Sequence, residues 1–358
     1  MRRAIVLSAE GLGTTSPNPS VGCVILDVAG RPVASGRTSP PGGPHAERVA
    51  LREAGEAARG GTAVVTLEPC DHTGRTGPCA QALIDAGVAR VVVALADPDP
   101  VAAGGADTLR AAGVDVETGV CATEAGEVLA PWLTAIARGR PYLVWKYAAT
   151  LDGRSAAADG TSRWVTSAEA RADVHALRGR VDAIIAGIGT ILVDDARLTV
   201  RGTPTDRRPL RVVVDSAGRT PVDARVRDDA APTWLVTAAD FPDGTGRVDL
   251  PALAKALYER GVRYALLEGG PTLAGAFLRQ RLVDRVVGYV APVLLGAGTA
   301  ALADAGVGTL AEAIDLDLTD VTRIGPDLRL TGTPRYRPGP AHTPPGAPTA
   351  APEPLRKD

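Results

Sequence analysis

With 358 residues, 45% of them hydrophobic and 22% charged, the chain is long enough for two ordinary cores and has the composition of a globular protein. A formal net charge of −2 with both signs scattered offers no basic stripe to a nucleic-acid backbone, and no apolar run reaches the ~18–20 residues of a membrane span, which leaves small molecules as partners. Four cysteines at unequal spacings argue against a disulfide framework and for a reducing, cytoplasmic compartment; the amino-terminal segment reads as a short helix rather than a secretory leader.

In chain order, apolar runs rich in β-branched residues predict strands at 20–27, 31–35, 62–68 and 90–96, with helices at 44–54 and 79–86. In the second of these helices Ala80, Leu83 and Ile84 form a buried stripe. A helical segment at 122–139, containing Trp132, runs into Arg140-Pro141, where the proline favours an extended preceding residue, so a first domain is expected over 1–140. The alternation restarts with strands at 142–148, 183–187, 210–215, 233–236, 264–268 and 285–291, giving a second layered domain over 141–332. Residues 333–358 are rich in Pro, Ala, Thr and Gly and are expected to be disordered.

The first candidate site is His45-Ala46-Glu47 followed by Pro69-Cys70 and then Cys79. One imidazole and two thiolates in this order are the ligand types of zinc nucleobase deaminases. Three protein ligands leave a fourth position open to water, whose pKa zinc lowers toward ~7, whereas structural sites are usually closed by four. Glu47 follows the first ligand by two residues and is suited to move protons as a general acid–base without binding the metal. Pro44 and Pro69 read as helix-start residues that set His45 and Cys70 at helix amino termini, where thiolate is favoured. Cys23 and Cys121 are expected to be packed thiols, and His175 and His342 to be incidental.

Eight residues separate Cys70 from Cys79, more than the general deaminase signature has. Thr66-Leu67-Glu68-Pro69-Cys70, with His72, Gly74-Arg75-Thr76 and Pro78-Cys79, resembles the deaminase half of the bifunctional deaminase-reductases of riboflavin biosynthesis. So do Thr15-Ser16-Pro17-Asn18-Pro19-Ser20-Val21-Gly22 and Gly42-Gly43-Pro44-His45-Ala46-Glu47. The resemblance implies that the long loop and the asparagine reach a substrate carrying a ribose phosphate, which makes Asn18, His72 and Arg75 candidate contacts. Three positions depart from the family pattern: Thr38, where many members have His; Arg48, where an apolar residue is common; and Asp99, where Asn often follows Asp97-Pro98.

Lys146-Tyr147-Ala148-Ala149-Thr150-Leu151-Asp152-Gly153-Arg154 and Ser162-Arg163-Trp164-Val165-Thr166-Ser167 resemble the opening of that family's reductase half. The residues alone read as a strand delivering Lys146 to a cleft, a loop exposing Ser162 and Trp164, and a capping box from Thr166 to Glu169 that starts the helix carrying Arg178. Gly187-Ile188-Gly189-Thr190 lacks the third glycine and the acidic residue of a Rossmann fingerprint. Glu268-Gly269-Gly270-Pro271-Thr272 reads as a strand end followed by a helix whose free amides can hold a pyrophosphate. With Asp194-Asp195, Leu198-Thr199-Val200-Arg201 and Asp215-Ser216 in family order, the resemblance implies that Ala148, Trp164, Thr190, Asp194, Ser216, Gly269 and Gly270 contact NADPH. It implies likewise that Lys146, Ser162, Arg178, Leu198, Arg201 and Glu268 contact the pyrimidine ribosyl phosphate, the guanidinium groups presenting paired donors to phosphate.

The resemblance thus implies an α/β chain, a cytidine-deaminase-like zinc domain followed by a dihydrofolate-reductase-like domain, using Zn2+ and NADPH. Its implied chemistry is removal of the ring amine of 2,5-diamino-6-ribosylamino-4(3H)-pyrimidinone 5′-phosphate, then reduction of the ribosyl group to ribityl; homo-oligomerisation is a further family expectation. Two other readings fit parts of the sequence. A nucleoside or tRNA deaminase with an accessory carboxy-terminal domain predicts turnover of cytidine or RNA and no NADPH binding, and a non-catalytic binding module stapled by zinc predicts tight metal and no turnover.

Overall fold

The computed structural model describes residues 1–72, 77–202 and 207–337. The amino-terminal part comprises α1 (Arg2–Glu10), β1 (Gly22–Leu26), β2 (Pro32–Arg37), α2 (Ala46–Ala54), β3 (Thr62–Leu67), α3 (Cys79–Asp85), β4 (Arg90–Leu95), α4 (Gly105–Ala111), β5 (Asp115–Thr118) and α5 (Ala122–Arg138). Its sheet has the order β2-β1-β3-β4-β5, with β1 antiparallel to both neighbours and β3, β4 and β5 parallel. The unbroken apolar runs Ala63-Val64-Val65 and Val91-Val92-Val93 suit parallel strands covered on both faces. Leu83, Leu109, Leu129 and Trp132 carry α3, α4 and α5 into one core.

The register decides where chemistry can gather. Gly22 pairs with Arg37 and Cys23 with Val65, so the segment entering β1, the segment leaving β2 and the segment leaving β3 meet at one edge of the sheet. Those segments contain Asn18, His45 and Cys70 respectively.

The second part contains β6 (Tyr142–Thr150), β7 (Arg154–Ala156), α6 (Ala168–Arg178), β8 (Ala183–Gly187), α7 (Ile188–Asp194), β9 (Leu210–Val214), β10 (Thr233–Val236), α8 (Leu250–Glu259), β11 (Tyr264–Leu267), α9 (Pro271–Arg279), β12 (Arg285–Ala291), β13 (Thr299–Ala300), β14 (Ile314–Ile324) and β15 (Asp327–Tyr336). Its main sheet is ordered β10-β9-β8-β11-β6-β12-β15-β14, the first six strands parallel and the last two an antiparallel hairpin. Leu253 and Leu257 of α8 and Phe277 of α9 fill one face, while Ala170 of α6 and Ile191 of α7 fill the other. β7 and β13 form a separate two-stranded ribbon.

Asp284 joins the two parts. Its carboxylate, 3% exposed, accepts from Arg140 at 2.7 and 2.9 Å, from the Leu143 amide at 2.8 Å and from Arg138 at the end of α5. No helix among the described residues is long and apolar enough to cross a membrane.

Several expectations need correction. α2 starts at Ala46 with His45 as its N-cap, so Pro44 precedes the helix. Cys70 lies in the irregular segment after β3; it is Cys79 that begins a helix, after Pro78. α6 is capped by Ser167, whose side chain accepts from the Ala170 amide at 3.2 Å, while the Thr166 carbonyl takes Arg171 instead. β14 and β15 add a hairpin beyond Ala291 that the sequence reading passes over, and β15 runs to Tyr336, past Gly332. Its turn is Gly325-Pro326, with Gly325 at φ +58°, a conformation a side chain would strain. α4 and β5 are likewise additions. The expected tail lies outside the described residues from 338 onward.

Removing the Asp284 carboxylate strands two guanidinium groups at the junction, a change that costs about 3–5 kcal/mol where the pair is buried, less for exposed Arg138. Asp284→Ala is expected to lower the first unfolding midpoint by several degrees and Asp284→Asn by less, read by differential scanning calorimetry.

Candidate active sites

At the edge where the first sheet's loops meet, His45 Nδ1 lies 3.5 Å from Cys70 Sγ and 3.4 Å from Cys79 Sγ, and the three donor atoms fall within 4.8 Å of one another. Tetrahedral zinc with bonds of ~2.3 Å to sulfur and ~2.0–2.1 Å to nitrogen separates those donors by roughly 3.5 Å, so the cluster fits the ion. Hydrogen bonds from Cys79 and His45 push the Cys70 thiol down to about 4 against the effect of burial, which favours the metal-binding thiolate; Cys79, sharing that proton, is pushed up.

Glu47, in the first turn of α2, is 3% exposed, and its Oε2 has no hydrogen-bond partner. Burial pushes its carboxyl up to about 7. A buried carboxyl with one oxygen left unbonded costs stability, and such groups concentrate at functional sites.

The loops around the cluster are braced by hydrogen bonds made by its neighbours in sequence. Glu68 accepts from the amides of Asp97, Gly104 and Ala106 at 3.1, 3.2 and 2.9 Å. The Asp71 amide donates to the Ala102 carbonyl, and Arg48 Nη2 donates to the Gly77 carbonyl at 2.9 Å, just ahead of Pro78-Cys79. Of the predicted contacts, Asn18 sits on a turn at the metal edge and His72 is half-buried with Nδ1 unpartnered, while Arg75 lies outside the described residues. Cys23 is buried in β1 and Cys121 is half-buried; neither joins the cluster.

In the second part a cleft of about 1910 Å³ opens at the carboxyl ends of the parallel strands, where ligands settle in open α/β sheets. Every reductase residue singled out from the sequence lines it. Lys146 and Ala148 come from β6, Ser162 and Trp164 from the loop before α6, Arg178 from the end of α6, and Thr190 and Asp194 from α7. Leu198 and Arg201 follow α7, Ser216 follows β9, and Glu268, Gly269 and Gly270 link β11 to α9. Gly270 is the N-cap of α9 and Pro271 its first residue; a Cβ on Gly270 or Gly189 would meet nothing within 4 Å, leaving backbone open to a closely approaching ligand.

At the floor of the cleft Glu268, 5% exposed, is held by Arg178 Nη2 at 2.8 Å, by Arg178 Nε and by Lys146 Nζ at 3.1 Å. Burial alone pushes the Glu268 carboxyl up, but Arg178 and Lys146 outweigh it and hold the group well below the usual carboxylate range. One carboxylate against two cations leaves a positive balance. His175 beside them is pushed down to about 4 by burial and by Arg178 and Arg201, so it is neutral and its Nδ1 accepts from the Arg201 amide at 3.2 Å. The Arg201 guanidinium is exposed and has no ion-pair partner among the described residues. Trp164 is 68% exposed with Arg171 4.4 Å over its ring, an aromatic platform at the cleft wall. Leu198 is buried at φ +51°, a strained conformation of a kind that clusters at ligand sites. Sequence reasoning missed Tyr289, which lines the cleft and donates to Asp173 at 2.6 Å; its strand signal is indistinguishable from core.

The profile described as the RibD C-terminal domain matches residues 141–330, and the one described as the cytidine and deoxycytidylate deaminase zinc-binding region matches residues 1–95. The chain belongs to the RibD family. It is 47% identical over 335 residues to the riboflavin biosynthesis protein RibD of Mycobacterium tuberculosis, covering 92% of this chain and 95% of that one. The structure of Acinetobacter baumannii RibD is similar at 39% identity and a TM-score of 0.84, covering 93% of this chain and 97% of the other. A Thermotoga maritima diaminohydroxyphosphoribosylaminopyrimidine deaminase/5-amino-6-(5-phosphoribosylamino)uracil reductase is similar at 33% identity and a TM-score of 0.86, covering 94% and 97%. The family is the bifunctional deaminase-reductase family of riboflavin biosynthesis, as the motifs implied. A nucleoside or tRNA deaminase with an accessory domain and a non-catalytic zinc module both leave the reductase match unexplained.

Glu268→Ala leaves Arg178 and Lys146, both largely buried, facing each other at the cleft floor. It is expected to cost about 3–5 kcal/mol, with Glu268→Gln milder, measurable as a lowered thermal midpoint without any substrate present.

Proposed function

We propose that the chain deaminates 2,5-diamino-6-ribosylamino-4(3H)-pyrimidinone 5′-phosphate hydrolytically at the His45, Cys70 and Cys79 site and reduces the deaminated product's ribosyl group to ribityl in the large cleft. The observation that carries this reading is the pairing, in one chain, of a zinc-spaced donor cluster, beside a buried carboxyl with an unbonded oxygen, and a cleft lined by every reductase candidate.

Bound at His45, Cys70 and Cys79, zinc supplies the Lewis acidity that activates a water at neutral pH. Glu47 would carry the attacking water's first proton to the ring nitrogen and then the remaining proton, from the hydroxyl that the attack creates, to the departing amine, which leaves as ammonia; a carboxyl held near 7 exchanges protons in both directions at neutral pH. Asn18, His72 and Arg75 hold the substrate at this edge, the unpartnered His72 Nδ1 offering a polar contact.

In the cleft NADPH supplies the hydride. Ala148, Trp164, Thr190, Asp194, Ser216, Gly269 and Gly270 would hold the cofactor, the free amides at the α9 amino terminus suiting a pyrophosphate. Lys146, Ser162, Arg178, Leu198, Arg201 and Glu268 hold the pyrimidine ribosyl phosphate. Arg201, without an ion-pair partner among the described residues, suits the phosphate, while Arg178, committed to Glu268, orients that carboxylate and contributes charge. The cytoplasm, where thiols stay reduced, is the compartment this chemistry fits.

The test supplies the diamino substrate and NADPH to purified protein and follows ammonia release and NADPH oxidation separately. Both signals are expected; Glu47→Ala should cut ammonia release by at least about 10²-fold while leaving oxidation with pre-deaminated substrate intact. Stripping zinc with a chelator should have the same split effect. NADPH consumption that never depends on the pyrimidine would overturn the assignment.

A further inference from the structure

Asn18 sits on a four-residue turn, 15–18, closed by its own amide to the Thr15 carbonyl at 2.9 Å and by the Thr15 hydroxyl to the Asn18 carbonyl at 3.1 Å. Within its own domain the turn is held by Trp132, whose Nε1 donates to the Pro17 carbonyl at 3.1 Å. The other braces come from the reductase half. The Ser16 hydroxyl donates to Asp182 Oδ2 at 2.7 Å across 166 residues of sequence. Pro17 lies against Gly261, where a Cβ would stand 3.8 Å from the proline ring, and a Cβ on Gly13 would come within 2.7 Å of the Arg180 carbonyl.

Asp182 is not a passive surface acid. Its side chain is 11% exposed, its Oδ2 also accepts from the amides of Arg263 and Tyr264 at 2.9 and 3.0 Å, and Arg207 stands 3.7 Å from its Oδ1. The carboxylate is thus fixed by the entry to β11, and the same Oδ2 takes the Ser16 hydroxyl of the neighbouring domain.

We propose that Asp182, a reductase-domain residue, is a positioning residue of the deaminase: through Ser16 it holds the turn that presents Asn18 to the deaminase substrate. The proposal rests on the reading of Asn18 as a substrate contact. A turn ordered before the substrate arrives spares the complex the entropy of ordering it, so loss of the brace weakens binding while leaving the metal and Glu47 untouched.

Full-length, zinc-loaded protein is assayed for ammonia release as Ser16→Ala, Ser16→Thr and Asn18→Ala, and for NADPH oxidation with pre-deaminated substrate. Ser16→Ala is expected to raise the deaminase KM about three- to tenfold with kcat within about twofold, to leave the reductase constants unchanged, and to be rescued by Ser16→Thr. If Asn18→Ala raises KM while Ser16→Ala does not, the contact stands and the brace is overturned. If Asn18→Ala leaves KM unchanged, the substrate contact itself is misassigned and the proposal falls with it.

Discussion

The buried carboxylate of Asp284 is the constraint from which the arrangement of this chain follows. A carboxylate at 3% exposure survives only if its charge is answered, and the answer comes from two arginines at the end of α5 and the interdomain connection together with the amide of Leu143, the second residue of β6. The full set is in place only when the deaminase's last helix, which carries Arg138, and the reductase's first strand, which carries Leu143, are folded and docked. The junction is therefore a set of geometric demands, and α5, fixed at its carboxyl end by Asp284, presents Trp132 to the Pro17 carbonyl within its own domain.

From that anchorage the deaminase turn carrying Ser16 and the reductase cleft take opposite ends of β8. Asp182 stands immediately before β8 and meets the deaminase, whereas Gly187 at the other end of β8 lines the cleft. Five residues at ~3.3 Å each separate the two ends by roughly 16 Å of strand. The cleft is lined by residues of the reductase half alone among those described, so the two chemistries do not share a chamber. Each site nevertheless uses the same device, side chains carried on segments that leave strand ends: Cys70 after β3 and Glu268 after β11. The parallel strands supply rigidity and the loops supply the functional groups.

Much of this was legible because the chemistry restricts residue types. His45, Glu47, Cys70 and Cys79 are readable in order since few other combinations make an open zinc site, and the Gly-Gly-Pro start of α9 is readable since only such residues leave a helix end exposed. Local grammar failed where tertiary contacts overrode it. Cys70 precedes no helix of its own; the Ala80 amide of α3 bonds its carbonyl, so the helix start it exploits belongs to Cys79. β14 alternates Leu316 and Leu318 with Asp315 and Asp317, yet both leucines are exposed, so the alternation marks no buried face. Asp182 and Trp132 were illegible for a plainer reason: their partners lie 166 and 115 residues away, and nothing local distinguishes them from any strand-edge acid or core aromatic.

The three departures from the family pattern resolve in the same physical terms. Arg48 places a cation in the first turn of α2, where the helix dipole disfavours it, but its guanidinium is drawn to the Gly77 carbonyl at 2.9 Å and its charge favours the Cys79 thiolate next door. Thr38 is buried and exchanges bonds with Val21, its hydroxyl accepting from the Val21 amide at 3.0 Å and its own amide donating to the Val21 carbonyl at 2.9 Å, which extends the β1–β2 ladder toward the metal edge. Asp99 accepts from the Val101 amide at 3.0 Å and its backbone carbonyl takes the amides of Ala102 and Ala103, closing the loop that packs Ala102 against Cys70 and Cys79. None of the three supplies an atom to the donor cluster. Arg48 and Thr38 stiffen segments that lead to a donor, and Asp99 stiffens the loop packed against two, so the substitutions alter the frame around the metal edge and supply nothing to the His45, Cys70 and Cys79 cluster itself.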